Sequence, residues 1–365
     1  MVANAKPPPI PWWKTSLGEE EKRRLLDAID SQCLSQGPVT SEFETLAAKK
    51  LDVPFATATN SGSVALLMSL RAAGVGHGDE VIVPSSTWIA TAHAVLMLGA
   101  RVVLVDAKPD TPIIDASRIA AKITPRTKAI LPVHLGGRSA DMEAIGAIAA
   151  EHGLPVIEDA AQAIFSKNGD DFLGTNSFAG CFSLSPAKLI TTGQGGIIVT
   201  RDEETHRKLR LFKTHGVDDI INVAFTEPGF NFKFTDLQAA IGIGQLGRVA
   251  RRVEHLRNIY AAYEAASREL PFLEMIEVDI SRGEIPLFVE VLCDDRDRLI
   301  RFLSSRDIGT RPFYPELNRA PYLRNGESFP NSEKFGRRGL FLPGGPEQPL
   351  DNVDRVIRTL KSFRR

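Results

Sequence analysis

Cysteine is scarce in this chain. Its 365 residues hold only Cys33, Cys181 and Cys293, far apart and odd in number. That excludes a disulfide scaffold, shows no metal-ligand spacing and suits a reduced cytoplasm. An excess of either charge is also missing. The 44 basic and 45 acidic side chains leave a net charge of -1, which gives no argument for nucleic acid or a membrane surface as partner. No apolar run is long enough to span a bilayer. The stretch Met1 to Pro11 is proline-rich and lacks the apolar centre of a signal peptide. Internal repeats and low-complexity tracts are absent as well. What remains is 43% hydrophobic residues, enough for a larger and a smaller globular domain.

Short apolar runs alternate with amphipathic stretches. Glu80 to Pro84, Arg101 to Asp106, Lys128 to Val133, Pro155 to Glu158 and Gly196 to Thr200 read as strands. Helices are expected over Gly18 to Asp30, Ser41 to Leu51, Val64 to Ala73, Ala90 to Leu98 and Asp141 to His152. Continuous apolar strands separated by helices predict a mostly parallel sheet covered on both faces, an α/β architecture. Further on, Thr235 to Leu246 and Val249 to Glu269 read as consecutive helices bridging to the smaller unit. That unit is expected to have a strand at Pro286 to Leu292, a helix at Asp295 to Arg306, a loop-rich tail and a closing helix at Val353 to Phe363. The expected division is 1–245, an N-terminal segment with the large domain, and 246–365, a small C-terminal domain.

The chemistry concentrates around Lys188. The stretch Phe182-Ser183-Leu184-Ser185-Pro186-Ala187-Lys188 runs into Thr191-Thr192-Gly193-Gln194-Gly195-Gly196, small, hydroxylated and glycine-rich on both sides. Upstream, Val156-Ile157 leads into Glu158-Asp159-Ala160-Ala161-Gln162. A lone lysine is ordinarily a surface residue. A lysine beside a hydroxyl cluster, with a carboxylate at a strand end, is a kit for pyridoxal 5'-phosphate (PLP). The amine forms a Schiff base with the cofactor aldehyde, and the acid keeps the ring nitrogen protonated. Asn60-Ser61-Gly62-Ser63 opens a helix and offers N–H groups to a phosphate, although the same residues also serve as a plain cap. Ser183 is a second phosphate candidate. Gln162 is placed to reach the ring hydroxyl. Trp88, after Ser85-Ser86-Thr87, offers a flat ring for stacking, or plain core. His134 ends a strand and is expected to point into the cleft, with a structural role as the alternative. Thr310-Arg311-Pro312-Phe313-Tyr314 offers a cation and a phenol to an anionic substrate, or forms a rigid turn.

Taken together, Asn60 to Ala65, Gly78 to Pro84, Thr87 to Ala90, Pro132 to Leu135, Glu158 to Gln162, Ser183 to Gly196, Gly229-Phe230-Asn231 with Gln238-Ala239-Ala240, and Thr310-Arg311-Pro312 give a chain that resembles, over nearly its full length, the DegT/DnrJ/StrS family of PLP-dependent sugar aminotransferases. The resemblance implies the three-layer fold-type I architecture, with a large, mostly parallel seven-stranded sheet domain and a smaller C-terminal α+β domain. It implies Lys188 as the Schiff-base lysine, Asp159 as the pyridinium partner, Gln162 at the ring hydroxyl and Trp88 stacked on the ring. Gly62, Ser63 and Ser183 would form the phosphate cradle. Asn231 would reach the phosphate of a neighbouring subunit, so a homodimer with shared active sites is expected.

The implied reaction moves an amino group from L-glutamate or L-glutamine to a keto sugar, with a nucleotide-linked 4-keto or 3-keto deoxysugar for amino-sugar biosynthesis as the expected acceptor. An aminocyclitol ketone is an alternative acceptor. Sugar dehydratases on the same scaffold carry histidine where this chain has Lys188, and a non-catalytic PLP-binding regulator is the non-enzymatic alternative. Departures from the family pattern are Ser185 and Asn318, where many relatives have histidine, and Gly136-Gly137, where a glycine preceded by an aromatic is more usual.

Overall fold

The computed structural model describes residues 8–217, 223–225 and 227–364. The proline-rich start therefore lies outside the described residues as far as residue 7. Strands β1 (Phe55–Thr59), β2 (Glu80–Pro84), β3 (Arg101–Val105), β4 (Thr127–Ile130), β5 (Ile157–Asp159), β6 (Ala179–Ser183) and β7 (Gly196–Thr200) make the main sheet. They pair in the order β3-β2-β4 and β5-β6-β7-β1. Parallel bridges Ile130–Val156 and Val133–Asp159 join β4 to β5, so one seven-stranded sheet results. Only β7 runs against its neighbours, antiparallel to both β6 and β1. The α/β class and the mostly parallel seven-stranded sheet expected from the sequence are what the chain forms.

The pattern of the strands explains the layering. In β2 the side chain of Ile82 faces one apolar cluster, while Val81 and Val83 face another. Helices α2 (Pro38–Lys50), α5 (Met142–Glu151) and α7 (Asp236–Leu246) supply Phe43, Ala47, Ile145, Ala149, Ala239 and Ile243 to the first face. Helices α3 (Gly62–Ala72) and α4 (Ala90–Leu96) supply Ala65, Leu66, Met68, Ala92 and Val95 to the second. Alternate residues of a strand point to opposite faces, and here both faces are covered, so the strands have no polar side. Because β1, β2, β4, β5 and β6 run the same way, their carboxyl ends share one edge, where ligands of open α/β sheets bind.

A second sheet, order β8-β9-β11-β10, contains β8 (Glu274–Met275), β9 (Val289–Leu292), β10 (Arg311–Pro312) and β11 (Gly339–Leu342). It packs with α8 (Val249–Ser267), α9 (Arg296–Ser304) and α11 (Leu350–Lys361) through Tyr263, Leu299, Leu303, Val353, Val356 and Leu360. One expectation changes here. The loop-rich tail carries α10 (Pro330–Arg338) and the interior strand β11. Four residues, Gly-Leu-Phe-Leu, are too short a run to show periodicity, and pairing on both sides makes the strand. The start of the N-terminal segment, counted with residues 1–245, bonds to the second unit as well as to the first. Ile10 bridges Ile308 and Trp13 bridges Gly344, and Ile10 is buried in that unit's core. Among the described residues no helix is long and apolar enough to cross a membrane.

Candidate active site

The carboxyl edge of the main sheet opens on a cavity of about 320 Å³. Gly62, Ser63, Trp88, Asp159, Gln162, Ser183, Lys188, Arg311 and Tyr314 line it, together with Trp12, Thr91, Gln194 and Phe288 among others. The chain thus gathers residues far apart in sequence because β1, β2, β5 and β6 end side by side.

Helix α3 begins at the end of β1. Ser61 caps it, its hydroxyl accepting from Val64 N–H at 3.2 Å. The N–H groups of Gly62 and Ser63 lie in the first turn, where no intrahelical acceptor exists, and face the cavity at the positive end of the helix dipole. Ser183, at the end of β6, sits directly opposite. A Cβ placed on Gly62 would lie 2.9 Å from Ser183 Cβ and 3.2 Å from its Oγ, so only glycine leaves this cradle open.

Asp159 ends β5 and is 4% exposed. Thr91 donates its hydroxyl to Asp159 Oδ2 at 2.8 Å, and Ala161 N–H donates to Oδ1 at 3.1 Å. Burial pushes the Asp159 carboxyl above its ordinary range, while these donors and the Lys188 charge act the other way. Lys188 is half-buried in the loop between β6 and β7. Burial pulls its amine down from 10.5 to about 8, and Asp159 opposes that fall. The loop is held from beneath. Fully buried Arg252 donates to Leu189 O at 2.9 Å, and Thr191 N–H donates to Gln245 Oε1 at 3.2 Å. From above, Trp13 Nε1–H donates to Pro186 O at 2.9 Å.

Gln162 is oriented by its neighbours. Its Oε1 accepts from Gly136 N–H at 2.9 Å and its Nε2 donates to Tyr314 Oη at 3.3 Å. One amide hydrogen therefore remains to face the cavity. Tyr314 packs edge-on to Trp88, ring centroids 5.5 Å apart. Burial raises its phenol, and nearby Glu290 adds to the rise. Glu290 is fully buried and ion-paired with Arg138. A Cβ at Gly136, where φ is +67°, would meet Arg138 Nη1 at 2.5 Å and Glu290 Oε2 at 2.8 Å. That buried pair fills the space beside the glycine.

One expected site residue, His134, lies elsewhere. His134 is fully buried and does not line the cavity. Ala140 N–H donates to its Nδ1 at 3.1 Å, so the ring donates from Nε2 to Glu158 Oε2 at 2.7 Å. Both nitrogens are used inside the protein, which corrects the expectation that the ring points into the cleft. Asn231 is exposed and away from its own chain's cavity, bridged to Thr214. Asn318 donates to Glu327 O at 3.2 Å and is also outside the lining. Thr91, Arg252, Trp12 and Trp13 were not singled out from the sequence. Thr91 had a faint signal, one helical turn beyond Trp88. The others act across long separations and had none.

Comparison with known proteins gives the family. The profile of the DegT/DnrJ/EryC1/StrS aminotransferase family matches residues 15–361. GDP-perosamine synthase of Caulobacter vibrioides is 37% identical, covering 94% of this chain and 95% of its own. The crystal structure of S. venezuelae DesV, in complex with a ketimine intermediate, superposes with a TM-score of 0.93 at 32% identity, covering 97% of this chain and 98% of DesV. The GDP-4-keto-6-deoxy-D-mannose-3-dehydratase of E. coli, with bound hydrated PLP, superposes with a TM-score of 0.89 at 25% identity, covering 96% and 99%.

Proposed function

The chain belongs to the DegT/DnrJ/EryC1/StrS aminotransferase family, and on that premise we propose that its cavity transfers an amino group from L-glutamate to a nucleotide-linked keto sugar, using PLP. It is an aminotransferase acting on small molecules, and the acceptor class is drawn from relatives such as the GDP-perosamine synthase. The observation that carries the reading is the placement of Lys188 and Asp159 in one cavity with the Gly62–Ser183 cradle.

The residues present fit the cofactor. The open cradle at the start of α3 suits a phosphate, with the Gly62 and Ser63 N–H groups and the Ser183 hydroxyl as donors. When bound, PLP supplies an aldehyde that takes up amino groups and a ring that accepts electrons from a substrate α-carbon. Asp159, held by Thr91 and Ala161, would accept the N–H of the ring and keep that proton in place. Gln162 would offer its remaining amide hydrogen to the ring hydroxyl oxygen. Trp88, at the cavity wall, would lie against one face of the ring. Lys188 provides the amine that holds the cofactor. Once free, its Nζ moves a proton from the donor's α-carbon and later returns one to the acceptor's carbon. In the empty site burial already pulls this amine down to about 8, towards the range that suits a group taking and giving protons near neutral pH. Arg311 and Tyr314 face substrate.

Asn231, exposed on its own chain, is offered to the cavity of a second copy. A homodimer with shared sites follows from that reading, and the free, scattered cysteines suit a cytoplasmic location. A sugar dehydratase is the second reading, favoured by the structural likeness to the E. coli dehydratase, and Lys188 opposes it. The test is to give the PLP-loaded protein L-glutamate, remove the keto acid, and add nucleotide-linked 4-keto sugars. Appearance of an aminated sugar supports the reading. Loss of a sugar hydroxyl with no amine gained overturns it in favour of dehydration.

A further inference from the structure

The cavity is lined by three ionisable charges, on Asp159, Lys188 and Arg311. The first two are engaged in the reading above. Arg311 is exposed, and its guanidinium rests over the ring of Trp12, 5.0 Å from the centroid. Among the described residues it has no carboxylate within ion-pair distance. A guanidinium held by an aromatic face keeps its N–H fork available, because the ring attracts the cation without using its donors. Such a fork takes carboxylate or phosphoryl oxygens two at a time.

Trp12 reaches the cavity from the N-terminal segment, some 300 residues from Arg311 in sequence, and it is firmly placed. Gly344 N–H donates to Trp12 O at 2.9 Å, and Gly309 N–H donates to Ile10 O at 2.8 Å. Gln348 Nε2 donates to Pro11 O at 2.8 Å. The indole stacks on Phe288, centroids 6.1 Å apart at 28°, and Phe288 lines the same cavity. The segment therefore forms a wall of the site, and its tryptophan holds the one cation of the cavity that is uncommitted among the described residues.

We infer that Trp12 and Arg311 form a single anion-binding unit at the substrate side of the cavity, with Trp12 as the platform that positions the Arg311 guanidinium for a ligand's anionic oxygens. The inference deepens the aminotransferase reading and rests on it for the ligand class. Two ligands bring such oxygens, the amino donor through its carboxylate and the sugar nucleotide through its diphosphate.

The test uses full-length protein loaded with PLP and inert probes in place of substrates. Glutarate stands for the donor, and GDP, UDP and dTDP stand for the acceptor. Binding is measured by calorimetry for wild type, Arg311→Gln, Trp12→Leu and Trp12→Phe. Loss of a charge-assisted pair is expected to weaken one probe class about tenfold or more in Arg311→Gln. Trp12→Leu should weaken the same class several-fold, and Trp12→Phe, which keeps a ring, should stay within about twofold of wild type. Weakened glutarate identifies the carboxylate as the ligand, and weakened nucleotides identify the diphosphate. Equal binding of every probe by wild type and Arg311→Gln overturns the inference, as does absence of binding by wild type. An effect of Arg311→Gln without any effect of Trp12→Leu overturns the role of the platform. The PLP absorbance of the same samples reports separately on the cofactor. A protein that binds PLP yet no probe defeats this inference alone, whereas one that never binds PLP defeats the aminotransferase reading. Repeating the titrations without PLP keeps the anion unit testable in that case.

Discussion

The indole N–H of Trp13 donates to the carbonyl of Pro186 at 2.9 Å, across 173 positions of sequence. Pro186 stands two residues before Lys188, so the N-terminal segment touches the loop that carries the Lys188 amine. Trp13→Phe removes the donor and keeps the ring. The expected loss of stability is about 0.5–1.5 kcal/mol, with a shift in the pH titration of the bound cofactor's absorbance. An unchanged titration, measured alongside denaturant unfolding, would show that the bond does not position the loop.

Thr91 is the side-chain donor to Asp159. Thr91→Val keeps the volume and removes the hydroxyl. The buried carboxylate then rises further above its usual range and holds a proton on the ring nitrogen less well. A hydrogen bond to a charged group contributes about 1.5–3 kcal/mol, so kcat should fall roughly ten- to a hundredfold. Steady-state kinetics with full PLP occupancy check this, and wild-type kcat in the variant would remove Thr91 from the account.

The amine of Lys188 is pulled to about 8 in the cofactor-free protein. Its modification by an amine reagent should rise with a midpoint near that pH, well below the midpoint of the surface lysines. The sign for stability follows from the same shift. Below about 8 the amine is charged in both the folded and the unfolded chain, and the cost of holding a charge there is fully present. As pH rises from about 8 towards 10.5, the unfolded chain binds more protons than the folded one, so the cost is removed. Cofactor-free Lys188→Met should therefore be more stable than wild type at pH 7, and the difference should vanish at high pH. Parallel unfolding curves across that range would contradict the depressed amine. With PLP bound, borohydride reduction followed by peptide mapping should label Lys188 and no other lysine in wild type.

Gly62→Ala places a methyl group 2.9 Å from Ser183 Cβ. Something must shift, and the phosphate cradle narrows. PLP affinity is expected to fall at least about tenfold, on the scale of one lost charge-assisted contact, while the fold persists because alanine favours a helix start more than glycine favours it. Equilibrium dialysis against PLP measures the affinity, and circular dichroism checks the fold. Undiminished affinity would place the phosphate elsewhere.

Much of the site was legible in the linear chain because each piece is local. Asp159 closes an apolar strand, Gly62 opens a helix, and Lys188 follows a hydroxyl-rich turn. Strand and helix periodicity reports burial on each face, so the layered α/β class could be read from Glu80 onward. Strand β11 escaped notice because four residues carry no period. Its partners, β9 and β10, make it a strand.

His134 shows the limit most clearly. At the end of a strand, nothing local says whether an imidazole turns to the cleft or to the interior. Glu158 and the Ala140 N–H draw it inside, since a buried ring must satisfy both nitrogens. The sequence by itself determined the residue types, their order along strands and helices, and with these the chemistry available at the sheet's carboxyl edge. Only the tertiary structure decided which side chains share that edge with Lys188. Trp12 beneath Arg311, Trp13 on Pro186 and Arg252 under Leu189 are contacts between segments whose proximity exists only after the chain has folded, because no local preference encodes a partner so far along it.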